Sequence, residues 1–227
     1  MKEIKAVLFD LDNTLIDFMK MKEESCKSAL KAMIKKGLKV SFKTGYEKLM
    51  KIYFKVGIES NIAFEEFLKS ETGHIDTKIL AAGINEYLRT KNKFLKPYPN
   101  VKPTLRKLKK MGLKLAIVTD APRLKAYQRL VAMRIDDYFD FVIGFDDTGK
   151  KKETQIPLKK AIEKLRLEPY EIMMVGDSIK KDVIPTKKTG IVSVFAKYGS
   201  SEKVKKIKPD FELNTFSEIS KLVLTKK

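Results

Sequence analysis

The stretch Ile4-Lys-Ala-Val-Leu-Phe9-Asp10-Leu-Asp12-Asn-Thr14 decides the fold. Residues 4–9 are a short apolar run with β-branched members and no helical period, which reads as a buried strand ending at Asp10. Similar runs recur at residues 113–119, 139–144, 171–176 and 191–195. Helical patterns lie between them at residues 101–111, 123–133, 156–167 and 182–189. Strands alternating with helices of that length imply right-handed crossovers and a parallel sheet covered on both faces. The expected fold is therefore α/β, a doubly wound, Rossmann-like parallel sheet.

Residues 17–95 behave differently, with helical spacing throughout and no convincing strand. Helices are predicted at 20–36, stopped by Gly37; at 42–56, stopped by Gly57; at 63–70; and at 78–91. Two prolines in Lys96-Pro-Tyr-Pro-Asn100 then mark the return to the α/β pattern, because neither can continue a helix. The expected organisation is a core of residues 1–16 and 96–227 with a small all-helical domain, 17–95, inserted into it.

Of the 227 residues, 43% are hydrophobic and 34% charged, a composition with material for a proper core and no sign of disorder. Apolar stretches such as residues 114–118 and 139–145 are too short and interrupted to span a membrane. Asp10 and Asp12 follow closely on Lys2, Glu3 and Lys5, which breaks any signal-peptide pattern, so a cytoplasmic location is expected. Cys26 is the single cysteine and excludes an intrachain disulfide; it is expected as a small buried hydrophobe. The lone His74, in a polar turn, lacks the companions of a zinc site and is expected at the surface.

The net charge of +19 raises the question of nucleic acid. Lysines such as Lys20, Lys107, Lys159, Lys180, Lys205 and Lys227 are spread along the whole chain, however, and arginine is scarce, so a solvated basic surface is favoured. A positive field of this kind also steers small anionic substrates.

In an open parallel sheet, ligands bind beyond the carboxyl ends of the strands. Those ends carry Asp10-Leu-Asp12-Asn-Thr14, Thr119-Asp120, a lysine-rich loop, and Gly176-Asp177-Ser178 with Asp182 beyond. Asp10 and Asp12 lie two residues apart on extended chain, so both side chains can point one way. Together with Asp177 they would repel one another and any phosphate unless a hard divalent cation sat among them, and magnesium suits such an oxygen-only set. With charge neutralised, one carboxylate can attack phosphorus while its neighbour protonates the leaving oxygen and later activates water. Thr119 and a lysine would supply positioning and positive charge around the phosphoryl oxygens.

These residues, in this order, resemble the four motifs of the haloacid dehalogenase-like superfamily, with likeness to its archaeal capped phosphatases, some of which are assigned to glyceraldehyde 3-phosphate. The resemblance covers essentially the whole chain, and the helical insert resembles the superfamily's mobile cap, which would close over substrate. It implies Asp10 as nucleophile and metal ligand, and Asp12 as acid and base with a backbone carbonyl on the metal. It further implies Thr119 on the phosphoryl group, Asp177 completing the magnesium site and Asp182 orienting it. The superfamily's lysine falls on Lys152 by spacing, although Lys150 and Lys151 are close and the prolines that normally follow are Glu153 and Gln155. Asp120, beside the phosphate site with Thr119 and Lys152, stands where many relatives have asparagine or serine.

D-x-D-x-T arises by chance in only roughly 3% of chains of this length, and G-D-x4-D about as rarely, so their joint occurrence at strand ends carries weight. A near-match to a phosphate-cradling loop at residues 144–151 fails, because Lys151 stands where a Ser or Thr must reach magnesium and Asp146 and Asp147 would repel phosphates. A dehalogenase of this fold has no need of Asp12 or a metal. A phosphomutase and, from another class, a basic nucleic-acid-binding module on an inactive scaffold remain as alternatives. The expectation is thus a magnesium-dependent phosphatase acting on a small phosphorylated metabolite such as a sugar or triose phosphate, as a monomer or homodimer away from membranes.

Overall fold

The computed structural model describes residues 3–202 and 207–224; Lys2, Lys205 and Lys227 lie outside the described residues. Contacts divide the chain into two compact units, Met1–Asp17 with Lys96–Lys227, and Phe18–Leu95.

The larger unit is built on a six-stranded sheet. Its strands are β1 (Ala6–Phe9), β2 (Lys114–Val118), β3 (Phe141–Ile143), β4 (Ile172–Gly176), β5 (Val192–Ala196) and β6 (Phe211–Leu213), in the order β3-β2-β1-β4-β5-β6. All neighbours are parallel, with Phe9 in register with Ile117 on one side and Val175 on the other. This is a doubly wound order, in which the chain builds outward from β1 in one direction and then crosses to its other side. The reversal falls between β1 and β4, so the residues just after these two strands flank the crevice where such sheets bind ligands.

Both faces of β1 are buried, and this explains its lack of polar alternation. Ala6 and Leu8 join Ala116, Val118, Met174 and, from one covering helix, Leu158, Ala161 and Leu165. Phe9 turns to the opposite face, where its ring packs against Phe139 and Phe216. The strands occupy the apolar runs of the sequence, trimmed at their ends. One helix departs from expectation. Instead of a regular helix over 182–189, a π turn at Ile179–Val183 precedes a short helix at Ile184–Thr189. Pro185 has no N–H for the usual bond, and the Ile184 N–H reaches back to the Ile179 carbonyl. The short strand β6 was not anticipated.

The second unit holds four helices, α1 (Phe18–Lys35), α2 (Phe42–Val56), α3 (Ala63–Thr72) and α4 (Thr77–Phe94). Ser41 caps α2 by accepting from the Thr44 N–H, and Asp76 caps α4 by accepting from Lys78 and Ile79. Gly83 lets α4 approach α1 closely, because a Cβ there would fall 2.1 Å from the Met33 methyl. The core gathers Cys26, Leu30, Met33, Leu49, Phe64, Phe67 and Leu68. His74 is exposed and Cys26 is buried, as expected. Lys22 is buried as well, its ammonium donating to the Tyr87 hydroxyl at 3.0 Å and lying 3.5 Å from the Tyr53 ring centroid.

Phe67 is fully buried in this core. Its replacement by alanine is expected to destabilise the helical unit by about 3–5 kcal/mol. Urea unfolding followed by circular dichroism measures this, and a loss below about 1 kcal/mol would mean that the four helices are not held by this core.

Candidate active site

Asp10 follows β1 at 6% exposure, and its backbone N–H donates to the Val175 carbonyl at 2.8 Å, fixing it at the edge of β4. The next residues turn sharply. Asn13 takes a left-handed conformation with φ 56°, and the Leu15 N–H returns to the Leu11 carbonyl at 2.9 Å. The loop after β5 clasps this turn. Tyr198 donates its hydroxyl to the Thr14 carbonyl at 2.7 Å, while Gly199 lies so close that a Cβ would come within 1.6 Å of the Asn13 oxygen.

Thr119, nearly buried after β2, is held by its N–H to the Ile143 carbonyl at 3.0 Å, and its hydroxyl accepts from the Ala121 N–H at 3.2 Å. Asp120 accepts from the backbone N–H of Lys152 at 2.9 Å, tying the end of β2 to the turn Lys152–Thr154. Of the three candidate lysines, Lys150 and Lys151 are exposed, whereas Lys152 is 2% exposed. Its ammonium contacts Asp10 Oδ1 and lies 2.6 Å from Asp182 Oδ1.

After β4, Asp182 folds back and accepts from the Ser178 N–H at 3.0 Å. Gly176 makes room for this, since a Cβ would sit 2.2 Å from the Asp182 carboxyl carbon. Glu202 braces the loop from outside, accepting from the Ser178 hydroxyl at 2.7 Å and the Ile179 N–H at 3.1 Å.

Carboxylate oxygens of Asp10, Asp177 and Asp182 lie within 4.8 Å of one another. One ammonium cannot neutralise three such groups. Burial, with Asp182, Asp177 and Asp12 acting against Lys152, pushes the Asp10 carboxyl well above the usual carboxylate range. Burial first and Asp182 next push Asp177 up to about 7, against the pull of Lys152 and a hydrogen bond from Asn13. For Lys152, burial alone would lower the pKa; the charges of Asp10, Asp182 and Asp120 outweigh it and raise the ammonium above its ordinary value. An oxygen-only set with surplus negative charge fits a hard divalent cation such as magnesium. The sequence grouped Asp12 with Asp10 and Asp177; the carboxylate that completes this cluster is that of Asp182, while the Asp12 side chain meets Arg129, Nη1 to Oδ2 at 3.3 Å.

The structure thus places Asp10, Asp177, Asp182 and Lys152 in one cluster, with Asp120 tied to Lys152 through the backbone and Thr119 beside Asp120 in the chain. Sequence reasoning missed Arg129, Glu202 and the Tyr198-Gly199 clasp. Arg129 did carry a signal, because it interrupts the apolar stripe Ala126, Leu130 and Met133 on its helix.

A cation entering the cluster must displace the proton that Asp177 holds below about pH 7. Divalent-cation affinity is therefore expected to fall as pH drops below that point. The sign for folding is the opposite. Because the folded pKa lies above the ordinary aspartate value of 3.8, the cation-free protein gains stability at low pH and loses it as pH rises through about 7. Calorimetric titration at several pH values checks the first statement, and an affinity indifferent to pH would refute it.

Residues 7–196 match the haloacid dehalogenase-like hydrolase family. Over 221 residues, 97% of each chain, the sequence is 32% identical to the glyceraldehyde 3-phosphate phosphatase of Methanocaldococcus jannaschii. It is also 32% identical over 230 residues to the phosphoglycolate phosphatase of Vibrio vulnificus, covering 98% of this chain and 97% of that one. Among solved structures, the HAD phosphatase from Thermococcus onnurineus is similar with a TM-score of 0.69 at 28% identity, covering 97% of this chain and 98% of that one. A match across most of the chain, and full-length identity at this level, establish that it belongs to the haloacid dehalogenase-like hydrolase family.

Proposed function

We propose that this protein is a magnesium-dependent phosphatase that hydrolyses a small phosphomonoester through an aspartyl phosphate on Asp10, with glyceraldehyde 3-phosphate as the first candidate substrate. The observation that supports the reading is the buried cluster of Asp10, Asp177, Asp182 and Lys152 beyond the ends of β1 and β4. Asp10 would attack phosphorus, forming an O–P bond as the ester P–O bond breaks. Asp12 would give its proton to the leaving alkoxide, then take one from the water that attacks the phosphoenzyme, releasing inorganic phosphate and restoring Asp10. The Thr119 hydroxyl and the Lys152 ammonium would hold the phosphoryl oxygens, with Asp120 fixing the backbone of Lys152.

Magnesium would be held by Asp10, the Asp12 carbonyl and Asp177, with Asp182 orienting the set, and it supplies the positive charge that lets an anionic nucleophile approach an anionic phosphate. Residues 17–95 serve as the helical cap of this reading and carry substrate selection. No helix among the described residues is long and apolar enough to cross a membrane, and the proposed location is cytoplasmic.

The triose phosphate follows the relative named for it at 32% identity. Phosphoglycolate is the second candidate, supported by the Vibrio vulnificus relative. Asp12, which attack on carbon does not need, disfavours a dehalogenase; a phosphomutase would use the same aspartyl phosphate without releasing free phosphate.

Phosphate release from a panel of phosphorylated metabolites, with magnesium and with a chelator, tests the reading. Turnover in magnesium and none with the chelator is expected. Asp10→Asn should fold normally and lose activity by a factor on the order of 10,000 or more. Asp12→Ala should slow turnover by about 100- to 10,000-fold while an activated aryl phosphate still phosphorylates Asp10. Undiminished turnover by Asp10→Asn would remove the nucleophile assignment.

A further inference from the structure

Arg129 lies on the helix Arg123–Met133, on the face that also carries Ala126, Leu130 and Met133, and is 2% exposed. A guanidinium on a buried apolar face is unfavourable unless opposite charge meets it. Its Nη1 stands 3.3 Å from Asp12 Oδ2, a contact between residues 117 positions apart. The pair is asymmetric, with the arginine side chain 3% exposed and that of Asp12 24% exposed. A fixed, buried cation therefore grips one oxygen of a carboxylate whose side chain is partly exposed while its other oxygen, Oδ1, is buried. Lys152 serves Asp10 and Asp182 instead, so the two aspartates of the D-x-D pair are met by different cations.

We propose that Arg129 is the positioning residue for Asp12, holding its carboxylate in the orientation from which it moves protons; this rests on the phosphatase reading above. Arginine stays protonated at any working pH and cannot itself serve as the acid or base. Its effect must run through Asp12. Proton transfer demands a carboxylate held within hydrogen-bond reach of the reacting oxygen, and an aspartate on a turn has several rotamers. A planar guanidinium on a regular helix, itself buried, removes that freedom.

A double-mutant cycle on the whole protein tests this, with p-nitrophenyl phosphate as probe and magnesium present. Arg129→Met is expected to lower kcat by about 10- to 100-fold while KM and magnesium affinity stay within about twofold. Arg129→Lys should recover most of the loss. In an Asp12→Asn background, Arg129→Met should lower the rate of Asp10 phosphorylation no further. Multiplicative losses in the double variant, a change in KM or magnesium affinity as large as that in kcat, or an undiminished kcat would each overturn the proposal. Should Arg129→Met fail to fold, Arg129→Gln and Arg129→Lys in both backgrounds run the same cycle with the same deciding outcomes. Absence of phosphate release by the unmutated protein would instead overturn the phosphatase reading, and this inference with it.

Discussion

The ammonium of Lys152, buried between Asp10 and Asp182, is the contact on which the rest of the site depends. Three carboxylates sharing a pocket at the end of a sheet repel one another, and removing one partner of a buried ion pair typically costs about 3–5 kcal/mol. Lys152 offsets part of that repulsion and leaves a surplus of negative charge. The surplus has two outlets, a proton or a metal ion. Which one prevails depends on pH, and this links metal occupancy to the raised pKa of Asp177.

Geometry around this contact is supplied by the sheet. Placing β1 between β2 and β4 brings the residues after β1 and β4 to one rim, where Asp10 and Asp177 meet. Close backbone packing then fixes the turns. Gly176 admits the Asp182 side chain, and Gly199 admits the Asn13 carbonyl, two places where even a methyl group would collide. Such contacts leave little room for the acidic loops to relax away from one another, and the strain of like charges is held in place by packing.

Much of this was legible in the sequence, for a physical reason. Five strands are apolar runs that end in polar residues, and chemistry in a parallel sheet collects at those ends, so Asp10, Thr119, Asp177 and Asp182 could be picked out by position. The strand Phe211–Leu213 is three residues long and carries no period that could reveal it. Choosing among Lys150, Lys151 and Lys152 required burial, which local sequence does not encode. Asp120 shows another limit: its identity was readable, but its bond to the Lys152 backbone depends on how two loops meet. Arg129 and Glu202 escaped because each acts on a residue far away in the chain, one from a helix and one from a loop.

Ile16 pairs with Pro97 through an isolated antiparallel bridge, just where the chain leaves the sheet unit and returns to it. The two cut ends of the sheet domain are thus already fastened together, whatever lies in the excursion between them. Closing a loop costs free energy that grows only slowly with its length, so an excursion of a few residues or of a whole domain is tolerated almost alike. A lineage carrying this clasp can exchange, enlarge or discard the intervening helices by insertion and deletion while the acidic rim stays untouched.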